Sequence, residues 1–214
     1  MNQKAKDIKN YLDELFPDAH CELKYNNAFE LLIAVSLSAQ TTDIAVNKVS
    51  PNLFKLYPDP NSLAKANLND VKNCLKTIGL YQNKSKNIIE LAKQLVSDYD
   101  SKVPFSREEL IKLKGVGRKT ANVVLAEYFK YPAIAVDTHV HRISQRLRII
   151  KKDEDVYVNE LKLMKLFPKY LWHQIHHQLI FFGRYKCKAI KPDCSACKLI
   201  KYCNYKGKDY KIDK

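Results

Sequence analysis

Lys119 sits in the segment Leu113-Lys114-Gly115-Val116-Gly117-Arg118-Lys119-Thr120-Ala121-Asn122, and Asp137, within Val136-Asp137-Thr138-His139, follows eighteen residues later. An amine that attacks carbon and a carboxylate that takes up or shuttles the proton form a chemically sufficient pair. The two glycines flank one apolar residue. That spacing predicts a tight turn whose backbone N–H groups lie at the positive end of the following helix, where a phosphate is well accommodated. A lysine in the first turn of that helix feels the same dipole end, which disfavours the ammonium and favours the nucleophilic amine. The stretch is neither Gly-x-Gly-x-x-Gly nor a P-loop, so nucleotide-cofactor readings lose support. By itself it is equally compatible with a plain turn at a helix start.

The second group of chemistry-bearing residues is a set of cysteines. Of six in the chain, four fall within seventeen residues as Cys187-x6-Cys194-x2-Cys197-x5-Cys203. Reducing compartments keep such thiols from pairing, so a metal site is a better reading than two disulfides. Zinc commonly takes paired Cys-x2–4-Cys knuckles, whereas four thiolates also hold an iron–sulfur cluster, and spacing alone leaves that choice open. Arg184, Lys186, Lys188 and Lys191 sit before and inside the first loop of this site, where a rigid cationic loop suits a phosphate backbone. Cys21 and Cys74 stand apart and read as buried, inert thiols. His173, His176 and His177, at helical spacing with Gln174 and Gln178 on the same surface, read as structural.

The elements that must carry these groups are helices. The chain of 214 residues is 46% hydrophobic and 28% charged, enough for one large or two small domains with a real core. Ile8, Tyr11, Leu12 and Leu15 mark one amphipathic face, and Leu161, Leu163, Met164 and Phe167 another. Ala28 to Leu37 is almost wholly apolar and reads as a helix buried on all sides. Asn27 with Glu30 and Ser106 with Glu109 are spaced as capping boxes, and Pro17, Pro58, Pro60, Pro104, Pro132 and Pro168 punctuate between helices. About ten short helices and no strand are expected. The formal net charge of +14 points to a polyanionic partner. No apolar run reaches the ~18 residues of a membrane span, and Met1-Asn2-Gln3-Lys4-Ala5-Lys6 lacks a signal-peptide core, so no membrane association and an intracellular, cytoplasmic location are expected.

The segment from Leu113 to Val140 resembles the helix-hairpin-helix and catalytic stretch of the endonuclease III family, the DNA glycosylases with abasic-site lyase activity, and the cysteine series matches that family's cluster loop at all four positions. The resemblance implies an all-α fold of two helical domains with a DNA-binding cleft between them. A six-helix domain with the hairpin would cover residues 22–132, and a discontinuous iron–sulfur cluster domain residues 1–21 and 133–214. It implies Lys119 and Asp137 as catalytic residues, a [4Fe–4S] cluster on Cys187, Cys194, Cys197 and Cys203, and DNA contacts from Gly115, Gly117, Lys188 and Lys191. Within Ser38-Ala39-Gln40-Thr41-Thr42-Asp43, Gln40 matches the family's gap-filling glutamine; within Thr77-Ile78-Gly79-Leu80-Tyr81, Leu80 matches its apolar wedge. By residue type and spacing, Thr42 reads as an N-cap and Leu80 as a hydrophobic contact after a Gly79 C-cap.

The implied activity is base excision repair: removal of oxidised pyrimidines and cleavage 3′ to the abasic site by β-elimination through a lysine Schiff base. The partner would be double-stranded DNA carrying damaged pyrimidines or abasic sites, met by a monomer that is nucleoid-associated when bound. Monofunctional glycosylases of the superfamily lack this lysine, and the adenine-mismatch type usually has an extra C-terminal domain where this chain runs into a short basic tail. A non-catalytic DNA-binding hairpin has no need of Asp137, and an iron–sulfur electron carrier needs neither hairpin nor positive charge. One departure from the family is Lys114, where a proline commonly precedes the first glycine; its loss removes a fixed φ and predicts a less preorganised hairpin.

Overall fold

Every regular element of the computed structural model is helical among the described residues, 1–207; the basic tail beyond Gly207 lies outside them. In chain order the α-helices are α1 (Gln3–Leu15), α2 (Ala28–Leu37), α3 (Asp43–Leu56), α4 (Pro60–Ala64), α5 (Leu68–Leu75), α6 (Tyr81–Asp98), α7 (Arg107–Leu110), α8 (Arg118–Glu127), α9 (Thr138–Arg146), α10 (Val156–Leu166) and α11 (Trp172–Phe181). None is long and apolar enough to cross a membrane among the described residues. The chain divides into two units, Glu22–Tyr131, and Met1–Cys21 with Pro132–Lys214.

Glu22–Tyr131 is organised around α2, in which Phe29 to Val35 and Leu37 are all buried. Its neighbours are α3, α6 and α8. Leu31, Leu32, Ile33, Leu53, Leu91, Leu95 and Val124 are each at most 1% exposed, and a fully buried side chain of this size contributes about 1.5–3 kcal/mol. Both expected capping boxes are only half made. Asn27 accepts from Glu30 N–H at 2.9 Å, but the Glu30 carboxylate accepts from Asn26 N–H at 2.7 Å, one residue upstream. Ser106 accepts from Glu109 N–H, while the Glu109 carboxylate is taken by Tyr99 Oη at 2.8 Å and Lys112 Nζ at 2.6 Å. A complete box forms instead between Asp59 and Ser62, with Pro60 at the first helical position between them.

The other unit packs α1, α9 and α11 around Ile8, Leu12, Val140, Ile143, Ile175, Leu179 and Phe182. The α10 face differs from the expected one. Leu163 and Phe167 are buried, but Leu161 is 46% exposed and Asn159 is fully buried. The inward stripe runs 159, 163, 167 at a spacing of four, which puts Leu161 on the opposite side. Gln178 also departs from its surface reading: it is buried and donates to Asp13 Oδ1 at 2.8 Å and Phe16 O at 3.2 Å, joining α11 to α1.

Candidate active site and cysteine centre

The hairpin before α8 begins where α7 stops. Leu113 and Val116 are buried anchors, and Val116 N–H donates to Leu113 O at 3.0 Å to close the turn. Gly115 lies at φ 77, the left-handed region that a side chain at this position would strain. Gly117 is the extended N-cap of α8, and a Cβ placed on it would meet nothing within 4 Å. No side chain caps α8, so its first-turn N–H groups face outward beside an open space, the arrangement an anion takes up. Lys119 is half-buried in that first turn, and the helix from Thr120 to Glu127 is buried behind it. Arg107 Nε donates to Asn122 Oδ1 at 2.7 Å and holds α7 against α8.

The missing proline is compensated from another helix. Lys114 N–H donates to Gln94 Oε1 at 2.7 Å, and Gln94 Nε2 donates to Lys112 O at 3.4 Å. A proline at 114 has no N–H and could not make the first of these bonds. The turn is therefore held by a side-chain clamp rather than by a fixed φ, and the expected loss of preorganisation is offset.

Gln40 and Leu80 are brought together on the same unit. Gln40 follows the end of α2, with Thr41 N–H donating to Ser38 O at 3.1 Å and Thr42 capping α3 by accepting from Ala45 N–H at 3.2 Å. Leu80 precedes α6 and is 56% exposed, so it is not the packed contact expected after a helix end. Nor is Gly79 the left-handed residue there. Leu80 itself has φ 59, and Gln40 has φ 53. Non-glycine residues hold this conformation only where the surroundings over-determine it, and such residues gather at functional sites.

Asp137 is the N-cap of α9, and its Oδ1 accepts from Val140 N–H at 2.8 Å. The same helix then reaches the cysteines. Arg142 Nη2 donates to Gly183 O at 2.8 Å and Cys187 O at 3.2 Å. Arg146, 8% exposed, donates to Cys187 Sγ at 3.1 Å, Lys188 O at 2.8 Å and Ala189 O at 3.0 Å, and stacks 4.1 Å over the Tyr205 ring. Gly183 permits this approach: a Cβ there would lie 2.8 Å from His139 Cβ. Neither arginine was singled out in the sequence; the available clue was two cations four residues apart on the helix that Asp137 starts.

Cys187, Cys194, Cys197 and Cys203 line one enclosed cavity with Ile143, Leu147, Phe182, Leu199 and Ile200. No disulfide joins these four thiols. A π-helical turn, Phe182–Lys186, delivers Cys187, whose N–H donates to Phe182 O at 2.7 Å. Tyr205 N–H donates to Cys203 Sγ at 3.4 Å. Burial, and after it the neighbouring thiols Cys187 and Cys203, push the Cys194 thiol up; burial pushes Cys197 up as well. Four thiols around one apolar pocket, with N–H donors on two of them, are the donor set of a metal–sulfur cluster.

Of the four basic residues near the loop, Lys188 and Lys191 are exposed, Lys191 at φ 48. Lys186 is not available to an outside phosphate, because it pairs with Asp193 at 2.7 Å and donates to Ser195 O. Cys21 and Cys74 are half-buried rather than buried; the Cys74 thiol accepts from Asn52 Nδ2 at 3.5 Å and is pushed up by burial and by Asp70. His176 and His177 are buried on α11 in ring contact at 4.7 Å.

Residues 33–169 match the HhH-GPD superfamily of base excision DNA repair proteins. Endonuclease III of Bacillus subtilis (strain 168) is 50% identical over 201 residues, covering 92% of each chain. A solved structure of a trapped endonuclease III–DNA covalent intermediate, in an estranged-adenine complex, is 48% identical with a TM-score of 0.91, covering 95% of this chain and 97% of that one. A non-covalent endonuclease III–DNA complex is 50% identical with a TM-score of 0.89, over 95% and 96%. The chain belongs to the endonuclease III family within the HhH-GPD superfamily, the DNA glycosylases with abasic-site lyase activity that act in base excision repair.

Proposed function

We propose that Lys119 is the nucleophile and Asp137 the proton-handling carboxylate with which this glycosylase removes oxidised pyrimidines from double-stranded DNA. Lys119 Nζ attacks C1′ of the damaged nucleotide; the C1′–N bond breaks and the base leaves with the electron pair, taking up a proton. Asp137 deprotonates the attacking amine and stabilises the positive charge that develops on the sugar. Opening of the sugar ring gives an iminium between Nζ and C1′, which acidifies C2′. Loss of the C2′ proton expels the 3′ phosphate oxygen by β-elimination, and water then hydrolyses the imine to free Lys119.

The observation that carries this reading is the position of Lys119 in the first turn of an uncapped helix, directly after a turn closed at Gly115. That start binds the DNA backbone through Gly115 and Gly117, and so sets the amine against the sugar of the same strand. Gln40 and Leu80 fill the space that the extruded nucleotide leaves, and Lys188 and Lys191 hold backbone phosphates. Cys187, Cys194, Cys197 and Cys203 hold a [4Fe–4S] cluster. When bound, that cluster supplies a rigid staple, and the chemistry at C1′ is left to the side chains.

The test mixes duplex DNA containing one oxidised thymine with the purified protein and borohydride. A covalent protein–DNA adduct is expected in wild type and absent in Lys119→Ala. Retained binding without an adduct in wild type would leave a monofunctional glycosylase or a plain DNA-binding protein in its place.

A further inference from the structure

Lys84, on the first turn of α6, is 7% exposed, and among the described residues its ammonium has one acceptor, Thr41 Oγ1. Burial pushes its pKa down, and no carboxylate offsets the charge. An ammonium is among the costliest groups to bury, and a methionine would fill the same space without that cost. Packing therefore does not account for it.

Its two bonds do. The Lys84 side chain holds Thr41, the residue after Gln40, while its backbone N–H donates to Leu80 O at 3.0 Å. One residue thus fastens the immediate surroundings of both left-handed positions. The two loops are also neighbours: a side chain in place of Gly79 would bring its Cβ to 3.8 Å from Gln40 O and 3.9 Å from Thr41 Oγ1. We propose that Lys84 is a positioning residue for base extrusion: by clamping Thr41 to the start of α6, it fixes Gln40 and Leu80 as one two-pronged wedge. This rests on the reading of those two side chains as the groups that enter the duplex. A wedge inserts cheaply only if its prongs are already ordered; two independent loops would each lose conformational freedom on binding.

Lys84→Met and Thr41→Val each remove the bond at nearly constant volume, and Lys84→Arg keeps a donor. Base release from a duplex with one oxidised thymine is compared with borohydride trapping at a preformed abasic site, where no base has to be extruded. A fluorescent adenine analogue beside the lesion reports unstacking. Lys84→Met and Thr41→Val are each expected to slow base release about tenfold and to blunt the fluorescence rise, while abasic trapping falls less than about threefold. The double variant should be no worse than either single one, because both remove the same bond. Lys84→Arg should recover part of the loss.

Base release within about twofold of wild type in both variants would overturn the clamp, as would equal losses on the two DNAs in step with a fall in Tm. If Lys84→Met does not fold, Thr41→Val carries the test. Gln40→Ala and Leu80→Ala separate the two levels. If these leave base release and fluorescence unchanged, the wedge reading fails and the clamp with it; if they lower both while Lys84→Met and Thr41→Val do not, the clamp alone fails.

Discussion

The turn from Leu113 to Gly117 is held by Gln94 on α6, by Leu110 O of α7 accepting from Leu113 N–H, and by one left-handed glycine, Gly115 at φ 77. The loop from Cys187 to Cys203 is held from far away in sequence, by Arg142 and Arg146 of α9 donating to carbonyls and a thiol more than forty residues on. The cations differ in the same way: Arg118 and Lys119 after the turn are half-buried, whereas Lys188 and Lys191 on the loop are exposed. A short turn can store its shape in backbone dihedrals. A loop with little regular structure must borrow its shape from cross-links, here guanidinium bonds and the cluster proposed for its four thiols. The turn should therefore fail through backbone strain and the loop through loss of a ligand.

The largest expected effect is on the loop. Cys197→Ala should cut bound iron, and Tm should fall steeply, because the proposed cluster loses one of its four ligands; unchanged iron content and Tm would show that the loop holds itself. Arg146→Met comes next, expected to cost about 2–4 kcal/mol in denaturant unfolding, since it leaves Lys188 O and Ala189 O without their charged donor. On the turn, Gly115→Ala should cost about 1–2 kcal/mol through its positive φ. Gly117→Ala, extended and with open space around it, should leave stability unchanged yet weaken DNA binding; equal stability losses at the two glycines would break the distinction drawn between them. Lys114→Pro should shift stability by less than about 0.5 kcal/mol, because the lost bond to Gln94 and the restricted φ oppose each other.

The smallest effect concerns pH. The hydrogen bond to Glu109 pushes Tyr99 up to about 12, while Lys112, and then Tyr99, hold the Glu109 carboxyl below its usual range. Tyr99 is raised in the folded state, so its contribution is full below pH 10 and is lost as pH rises through about 12. Glu109 is lowered, so its contribution is present above its unfolded pKa and is lost as pH falls through the folded value. Tyr99→Phe should flatten the alkaline limb of a stability–pH curve; an unaltered limb would remove Tyr99 from the account.

The sequence by itself determined the helical fold, through periodicity at positions such as Ile8, Tyr11 and Leu12 and the apolar run of α2. It also determined the chemistry on offer, because Gly-x-Gly-x-Lys and the cysteine spacing are local patterns, written within a few turns of chain. Tertiary structure decided which groups are spoken for: Lys186 is consumed by Asp193 and Glu109 by Tyr99, while Lys188 and Lys191 stay exposed. It alone also placed Gln94 under Lys114, Arg142 and Arg146 under the cysteine loop, and the Lys84 side chain against Thr41. Each of these is a polar side chain meeting a backbone or hydroxyl group on another element. Such a partner has no fixed sequence offset, so no spacing rule could have named it.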